Sequence, residues 1–299
     1  MNDAAGRLPA NDQLSLDDST ADDRALFAVV DGAAHAETGG TSANRLGLTV
    51  RPTAYGRGPW DHGLLHGGPV VGLAAWATEQ LGATDGMLCG RLTVELHHGV
   101  PLANLDVSAS LVRASRRSKV VDVSIEHRST VVARATAQWL VPSSGWDSNR
   151  VSAPPRPEQV ADPGADDSDY PRPGFNCDAA ELRYVSGSNE VSGPAVIWTR
   201  LTSPLMAGAA TSPLVRIATV ADLAAAAGFE RGPSDEAFIN VDVTLQLDRP
   251  PKGEWLALDA RTHRSAGGLG HNEAVVFDDE GAFGRILQTL VEAPTQLGT

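Results

Sequence analysis

The chain has 299 residues, 42% of them hydrophobic and 20% charged, and its 24 lysines and arginines against 37 aspartates and glutamates give a formal net charge of −13. This length corresponds to one large domain or two of about 150 residues each, with enough apolar material for a core. Such a negative charge excludes nucleic acid and anionic membranes as expected partners, because both repel an acidic surface. Two cysteines, Cys89 and Cys177, are too few for a disulfide scaffold.

We expect no targeting signal at the beginning of the chain. Residues 1–22 are polar and acidic without periodicity, which predicts a disordered tail. They lack a basic start followed by an apolar segment, and no apolar run in the chain approaches the roughly 18 residues that cross a membrane. We therefore expect a soluble, cytoplasmic protein.

A second polar stretch, residues 142–178, divides the chain. It carries seven prolines and the acidic patch 166–169, a composition typical of a linker. The two bodies on either side, residues 23–141 and 179–293, are of similar size.

Each body contains an alanine-rich apolar helix with the same boundary signals. In the first, Gly68-Pro69 opens the apolar run 70–77, and in the second, Ser212-Pro213 opens a run that ends in alanines at Gly228. A cap residue, proline at the first helical position and glycine just past the end are typical helix boundaries. Because both helices are apolar on most faces, we expect them to be buried.

Strand patterns follow each helix in the same order. They cover 91–98, 105–112, 120–126 and 131–140 in the first body, and 238–247, 255–260, 273–277 and 283–291 in the second. Pro101 matches Pro251 at an offset of 150, and Arg134 matches Arg285 at 151. The near-constant offset predicts a duplicated unit of one long helix and an antiparallel sheet.

The order of motifs resembles that of the TesB-like type II acyl-CoA thioesterases. The resemblance covers about residues 30–293 and is carried by Trp60 to Gly68, Ala221-Asp222, 238–242, 249–255, and 279–281 with Gln288. It implies an α+β double hotdog, with two antiparallel sheets each wrapped around a long central helix. It also implies hydrolysis of an acyl-CoA thioester without a cofactor, and pairing of chains into a homodimer or larger homo-oligomer.

Asp222 lies inside the second apolar helix. At 100° per residue it falls at the edge of the stripe formed by Ile217, Ala218 and Ala221. The residues alone therefore favour a solvent-facing or salt-bridged aspartate, since buried carboxylates are rare. The resemblance implies instead that Asp222 is the catalytic carboxylate, because the family's catalytic aspartate occupies this helix position.

Two amides lie in predicted strands. Gln288 alternates with Ile286 and Leu290, so it is either a surface residue or a buried amide that needs partners. The resemblance implies that it is the catalytic glutamine. Asn240 stands where the family has threonine or serine, and alternation groups it with Asp242, so a solvated position is equally compatible.

These three residues suit direct hydrolysis, in which a carboxylate deprotonates a water and amides orient it. The chain has no Gly-x-Ser-x-Gly elbow and no Ser-His-Asp order. Gly67 and Gly68, at the start of the first helix, offer backbone amides to a developing oxyanion, and His66 beside them is a candidate to polarise the carbonyl. A zinc site on His66, His62 and one of the adjacent histidines at 97–98 would need a fourth ligand and supporting residues that the sequence does not indicate, so no metal is predicted.

Two groups of arginines are candidate contacts for the phosphates of coenzyme A. Arg113, Arg116 and Arg117 form the only dense basic run, and Arg261 and Arg264 occupy the corresponding region of the second body. A solvated hairpin remains the alternative for the basic run.

Two other functions remain open. Because Asn240 departs from the family pattern, a non-catalytic acyl-thioester-binding hotdog protein is one alternative to a thioesterase for medium or long acyl chains. The other is a hotdog enoyl-CoA hydratase or dehydratase, which uses an Asp and His pair at a helix start. The sequence shows no intact version of that motif.

Overall fold

The computed structural model describes residues 24–31, 44–59, 61–81, 84, 86–143, 151–160, 172–188, 191–229 and 238–292. The predicted disordered tail, Trp60, and residues 144–150 and 161–171 of the predicted linker lie outside this part of the chain.

The first half contains six strands and one α-helix among its described residues. In chain order they are β1 (Phe27–Asp31), β2 (Arg45–Pro52), α1 (Gly67–Glu79), β3 (Leu88–Leu96), β4 (Leu105–Ala114), β5 (Ser118–His127) and β6 (Thr130–Leu140). The predicted helix and all four predicted strands are present. Strands β1 and β2 are additional, although β2 buries alternate residues as a half-buried strand does.

The second half repeats this order. Its elements are β7 (Ala180–Ser186), β8 (Ala195–Leu201), α2 (Pro213–Ala221), α3 (Leu223–Ala227), β9 (Phe238–Asn240), β10 (Asp242–Leu247), β11 (Trp255–Arg264), β12 (Leu269–Asp278) and β13 (Gly281–Glu292). Two predicted elements are interrupted. The long helix breaks at Asp222, and the strand predicted over 238–247 breaks at Val241.

The strands form one antiparallel sheet in the order β1-β2-β4-β5-β6-β3-β10-β13-β12-β11-β8-β7, with β9 paired to β13. The two predicted sheets are thus joined at their edges, where β3 pairs with β10 and Thr244 Oγ1 donates to Thr93 Oγ1 at 3.1 Å. The duplication is visible in the register. Thr93 lies opposite Thr136, and Thr244 lies opposite Leu287, both members of the pair being shifted by 151 positions.

The helices α1 and α2 lie side by side and antiparallel. At one end of the pair, Gly67 lies against Asp222; at the other, Ser212 Oγ donates to the Glu79 carboxylate at 2.8 and 2.9 Å. A Cβ atom on Gly68 or Gly72 would collide with Thr219 of α2, so these glycines permit the close approach. We call the two ends of the helix pair the Asp222 end and the Glu79 end.

The described parts of the proline-rich segment pack against the second half instead of spanning free solvent. Ala282 N donates to the Val151 carbonyl at 2.9 Å, and the Trp198 indole N–H donates to the Pro155 carbonyl at 2.6 Å. Phe175 opens a helical turn at Phe175–Ala179 and is fully buried. The described parts of the segment predicted as a linker therefore pack on the second half, and their carbonyls accept hydrogen bonds from N–H groups of that half.

Candidate active site

Asp222 occupies the break between α2 and α3, where it ends one helix and precedes the next. Its side chain is 7% exposed. Of the two positions that the residues alone favoured, solvent-facing or salt-bridged, the solvent-facing one is therefore wrong, because the break and the adjoining α1 enclose the carboxylate. A buried carboxylate requires hydrogen-bond donors.

Asn240 supplies one of these donors. Its Nδ2 donates to Asp222 Oδ1 at 2.5 Å. Simple alternation would place Asn240 on the same face as Asp242, but Val241 forms a bulge whose N–H bonds to the Thr289 carbonyl. A bulge reverses the facing of the residues beyond it, which turns Asn240 inward.

Gln288 supplies a second donor from the middle of β13. It is 1% exposed, and its Nε2 lies 3.4 Å from Asp222 Oδ1. Since Nε2 faces the carboxylate, Oε1 faces elsewhere, and it has no hydrogen-bond partner among the described residues. The sequence left open whether Gln288 is a surface residue or a buried amide, and in the structure it is buried.

His66 reaches the same carboxylate from the first half of the chain. Its Nδ1 lies 3.0 Å from Asp222 Oδ2 and 3.0 Å from the Gly68 amide nitrogen. One nitrogen cannot accept from the amide and donate to the carboxylate at once, so the two contacts belong to different protonation forms of the ring. The Phe175 ring packs on the imidazole with centroids 4.7 Å apart.

The start of α1 borders Asp222 through its glycines. A Cβ atom on Gly67 would stand 2.6 Å from Asp222 Oδ2, so glycine alone leaves room for the carboxylate. The Gly68 amide is engaged by His66 as the helix cap. The Gly67 amide, one of the first N–H groups of the helix, has no intrahelical acceptor and lies at the positive end of the helix dipole.

Two residues next to this set carried no prediction from the sequence. Phe175 comes from the segment assigned to the linker, and nothing in that composition marks it. Asn272, fully buried on β12, lies directly opposite Gln288 in the sheet. A polar residue alternating with Ala274 and Val276 is the pattern that would have singled it out.

The predicted arginine contacts fall at opposite ends of the sheet. The β4–β5 hairpin that carries Arg113, Arg116 and Arg117 lies beside the start of β3, at the Glu79 end. The β11–β12 hairpin lies beside the end of β13, at the Asp222 end. There the Arg264 guanidinium lies 5.4 Å from the centre of the Phe238 ring, two residues before Asn240. Arg261 lies on β11 opposite Glu273 and is exposed.

Within the described residues, no group of three or more histidine, cysteine, aspartate or glutamate side chains has the geometry of a metal site. His97, one of the histidines considered as zinc ligands, lies 3.3 Å from Glu95 at the surface. In the same part of the chain, no helix is long and apolar enough to cross a membrane.

Two family profiles match most of the chain. Residues 56–140 match the N-terminal domain of acyl-CoA thioesterases, and residues 153–291 match the C-terminal domain. The chain belongs to the acyl-CoA thioesterase family. It is accordingly a thioester hydrolase, with the double hotdog fold that the resemblance implied. Among curated proteins, none matches this thioesterase.

Solved structures share the fold of this thioesterase at low sequence identity. A TesB protein from Mycobacterium avium subspecies paratuberculosis is 14% identical, with a TM-score of 0.60 over 83% of this chain and 93% of its own. An acyl-CoA thioesterase II from Mycobacterium marinum is 15% identical, with a TM-score of 0.59 over 83% and 94%. A hotdog protein from Alicyclobacillus acidocaldarius is 18% identical, with a TM-score of 0.64 over 89% and 100%. At these identities the likeness establishes the fold.

Proposed function

We propose that this thioesterase hydrolyses medium- or long-chain acyl-CoA by direct attack of water, with Asp222 as general base. The observation that supports this most is the convergence of Asn240 and Gln288 on Oδ1 of a buried carboxylate. Two amides hold the carboxylate in one orientation, which is the preorganisation that general base catalysis requires.

In the first step, a water between Asp222 and the thioester donates one hydrogen to the carboxylate and the other to Gln288 Oε1. That oxygen is buried and lacks a donor within the described residues. As the proton passes to Asp222, the water oxygen bonds to the thioester carbon and the carbonyl oxygen becomes negative. The Gly67 amide and the positive end of α1 stabilise this charge.

In the second step, the tetrahedral intermediate collapses. The carbon–sulfur bond breaks, the electron pair leaves with sulfur, and the thiolate takes the proton that Asp222 holds. The products are the free acid and coenzyme A, and the carboxylate of Asp222 is restored for the next turnover.

The apolar surroundings of the polar set support the proposed acyl length. Leu223 follows Asp222 directly, and Ile286 and Leu290 flank Gln288 on the inner face of β13; all three are fully or almost fully buried. Each methylene that an acyl chain buries against such side chains contributes about 0.8 kcal/mol, which favours medium and long chains over short ones.

The test uses the purified protein with acyl-CoAs of increasing chain length and a thiol reagent that detects free coenzyme A. We expect thiol release that increases toward the longer chains and is lost in Asp222→Asn. An Asp222→Asn variant as active as the wild type would contradict the assignment of the base. A wild type that binds acyl-CoA without releasing thiol would instead be an acyl-thioester-binding protein.

The contact between His66 Nδ1 and Asp222 Oδ2 favours a second candidate function. The sequence shows no Asp and His pair at a helix start, but the fold assembles one from the two halves of the chain. An enoyl-CoA hydratase would add water across the double bond of 2-octenoyl-CoA, with loss of the conjugated absorbance and without thiol release. Thiol release from the saturated analogue excludes this as the main activity.

A further inference from the structure

Asn272 is a fully buried amide with no role in the steps above. Its Nδ2 donates to the Ala224 carbonyl at 3.2 Å and to Thr262 Oγ1 at 3.0 Å. Its Oδ1 has no hydrogen-bond partner among the described residues. A buried oxygen without a hydrogen-bond donor is rare in a protein interior, because burial removes its hydrogen bonds to water and no other bond replaces them.

The orientation of this amide follows from its partners. The Ala224 carbonyl can only accept a hydrogen bond, so the nitrogen must face it and the reversed amide is excluded. Nδ2 is thereby turned toward α3 and β11, which carries Thr262. This leaves Oδ1 on the side of β13, where the directly opposed residue is Gln288.

Within the described part of the chain, neighbouring groups do not supply a donor to this oxygen. Ala274 and Ile286, the adjoining inner residues of β12 and β13, are apolar and buried. In the proposed reaction, both hydrogens of the attacking water are directed to Asp222 and Gln288. The donor to the oxygen of Asn272 therefore comes from another source. In the proposed reaction the thioester lies beside Gln288, and Asn272 is the residue directly opposite Gln288, so the first carbons of the acyl chain would lie next to this oxygen.

We propose that Asn272 Oδ1 accepts a hydrogen bond from a hydroxyl group near the thioester end of the acyl chain, so that the preferred substrate is a hydroxyacyl-CoA. This inference rests on the proposed thioesterase function. Opposed side chains on neighbouring strands lie about 5 Å apart, a distance that places the hydroxyl on one of the first few carbons. A site that hydrogen-bonds a hydroxyl discriminates strongly against the analogue that lacks it.

The experiment compares octanoyl-CoA with 2-hydroxyoctanoyl-CoA and 3-hydroxyoctanoyl-CoA. We expect kcat/KM of the wild type to be at least about tenfold higher for one hydroxylated substrate than for octanoyl-CoA. In Asn272→Leu, which removes the oxygen at similar volume, the ratio should fall to about one. Equal kcat/KM for the hydroxylated and the unmodified substrates in the wild type would overturn the proposal. The donor to Asn272 Oδ1 would then be an ordered water.

The control variant is Thr262→Val, which removes the other side-chain partner of the same amide and leaves Oδ1 in place. It should lower thermal stability and keep the substrate ratio. If Thr262→Val loses the ratio as Asn272→Leu does, the preference follows from packing and the proposal is overturned. If no acyl-CoA is hydrolysed, the proposed thioesterase function is wrong, and this outcome is independent of the role of Asn272. The affinities for octanoyl-CoA and its hydroxylated analogues, measured by calorimetry, then test that role.

Discussion

The two ends of the helix pair are equivalent in topology and different in chemistry. At the Asp222 end, Asn240 lies opposite Leu290, and Asn272 lies opposite Gln288. The positions shifted by 151 at the Glu79 end are Cys89 opposite Trp139, and Val121 opposite Ala137. The duplicated scaffold thus presents polar side chains to a carboxylate at one end and mainly apolar ones at the other.

The Glu79 end keeps a carboxylate without the amides that would orient a water. Burial raises the pKa of Glu79, and the hydrogen bond from Ser212 opposes this only in part. Burial also raises the pKa of the Cys89 thiol to about 12. A thiol with that pKa is an inert core residue. Both ends of the helix pair thus have a carboxylate, and the neighbouring amides are what distinguish the Asp222 end.

The largest expected difference between the ends is in turnover. Asp222→Asn should lower kcat by about 10²–10⁴-fold, the contribution of a positioned general base. Glu79→Gln, the matched change at the other end, should alter kcat by less than about threefold. Steady-state kinetics with octanoyl-CoA measure both. Equal losses would mean that both ends take part in catalysis.

The next difference concerns an ion pair that exists only in the second of the two halves. Arg249 donates to both oxygens of Asp278 at 2.5 and 2.6 Å, and Asp278 is fully buried. The positions shifted by 151 are His98 and His127, which cannot form such a pair. Arg249→Met should lower the free energy of unfolding at pH 7 by about 3–5 kcal/mol.

The ion pair also has a predictable pH dependence. Burial alone would raise the pKa of Asp278, but the Arg249 guanidinium and the amides of Lys252 and Glu280 outweigh it and lower this pKa. A lowered pKa stabilises the fold above the ordinary pKa of aspartate, and this contribution is lost as the pH falls through the lowered value. Urea denaturation should therefore show the cost of Arg249→Met shrinking in acid. The exposed His98→Met is the control and should change stability little.

Glu79 has the opposite pH dependence. Because its pKa is raised, its contribution to stability is fully present below the ordinary pKa of glutamate and is lost as the pH rises through the raised value. Glu79→Gln stays neutral and still accepts from Ser212. It should match the wild type near pH 4 and equal or exceed it at pH 8 in thermal melts. A variant less stable than the wild type at pH 8 would show that the charge of Glu79 supports the fold.

The smallest expected difference is in substrate affinity. Arg264 lies in the hairpin at the Asp222 end and Arg116 in the equivalent hairpin at the Glu79 end. If Arg264 contacts a phosphate of coenzyme A, Arg264→Ala should raise KM by about two- to fivefold, as expected for an exposed ion pair. Arg116→Ala should leave KM unchanged. The reverse result would place the phosphates at the other end of the sheet.

Several features of the site were accessible from local patterns. The break of the apolar run by Asp222, the amide between Ile286 and Leu290 on one strand, and the glycines at the start of α1 are all visible in the sequence. Each involves a residue type that contradicts its periodic surroundings, and such contradictions concentrate at functional sites. Asn272 has the same signature on β12, where it alternates with the buried Ala274 and Val276.

Other features depend on one-residue events that periodicity does not register. Alternation through Phe238 to Leu247 assigns Asn240 to the face of Asp242, whereas the bulge at Val241 turns it inward. The proline-rich composition around Phe175 predicts a linker, whereas Phe175 is buried against His66. A bulge hardly changes the alternation of residues along a strand, and a tertiary contact does not change the composition of a segment. The inward facing of Asn240 and the burial of Phe175 therefore could not be predicted from these patterns.

The duplicated helix-and-sheet unit is predictable from local sequence patterns. Buried helices, half-buried strands and helix caps each have a characteristic spacing of residues, and the repeat offset relates these patterns in the two halves of the chain. The location of the candidate site depends on tertiary packing. His66 and Asp222 meet at 3.0 Å because α1 and α2 pack antiparallel, with Gly67 leaving room for the carboxylate. Contacts between distant segments depend on how faces pack, and no local pattern specifies that packing.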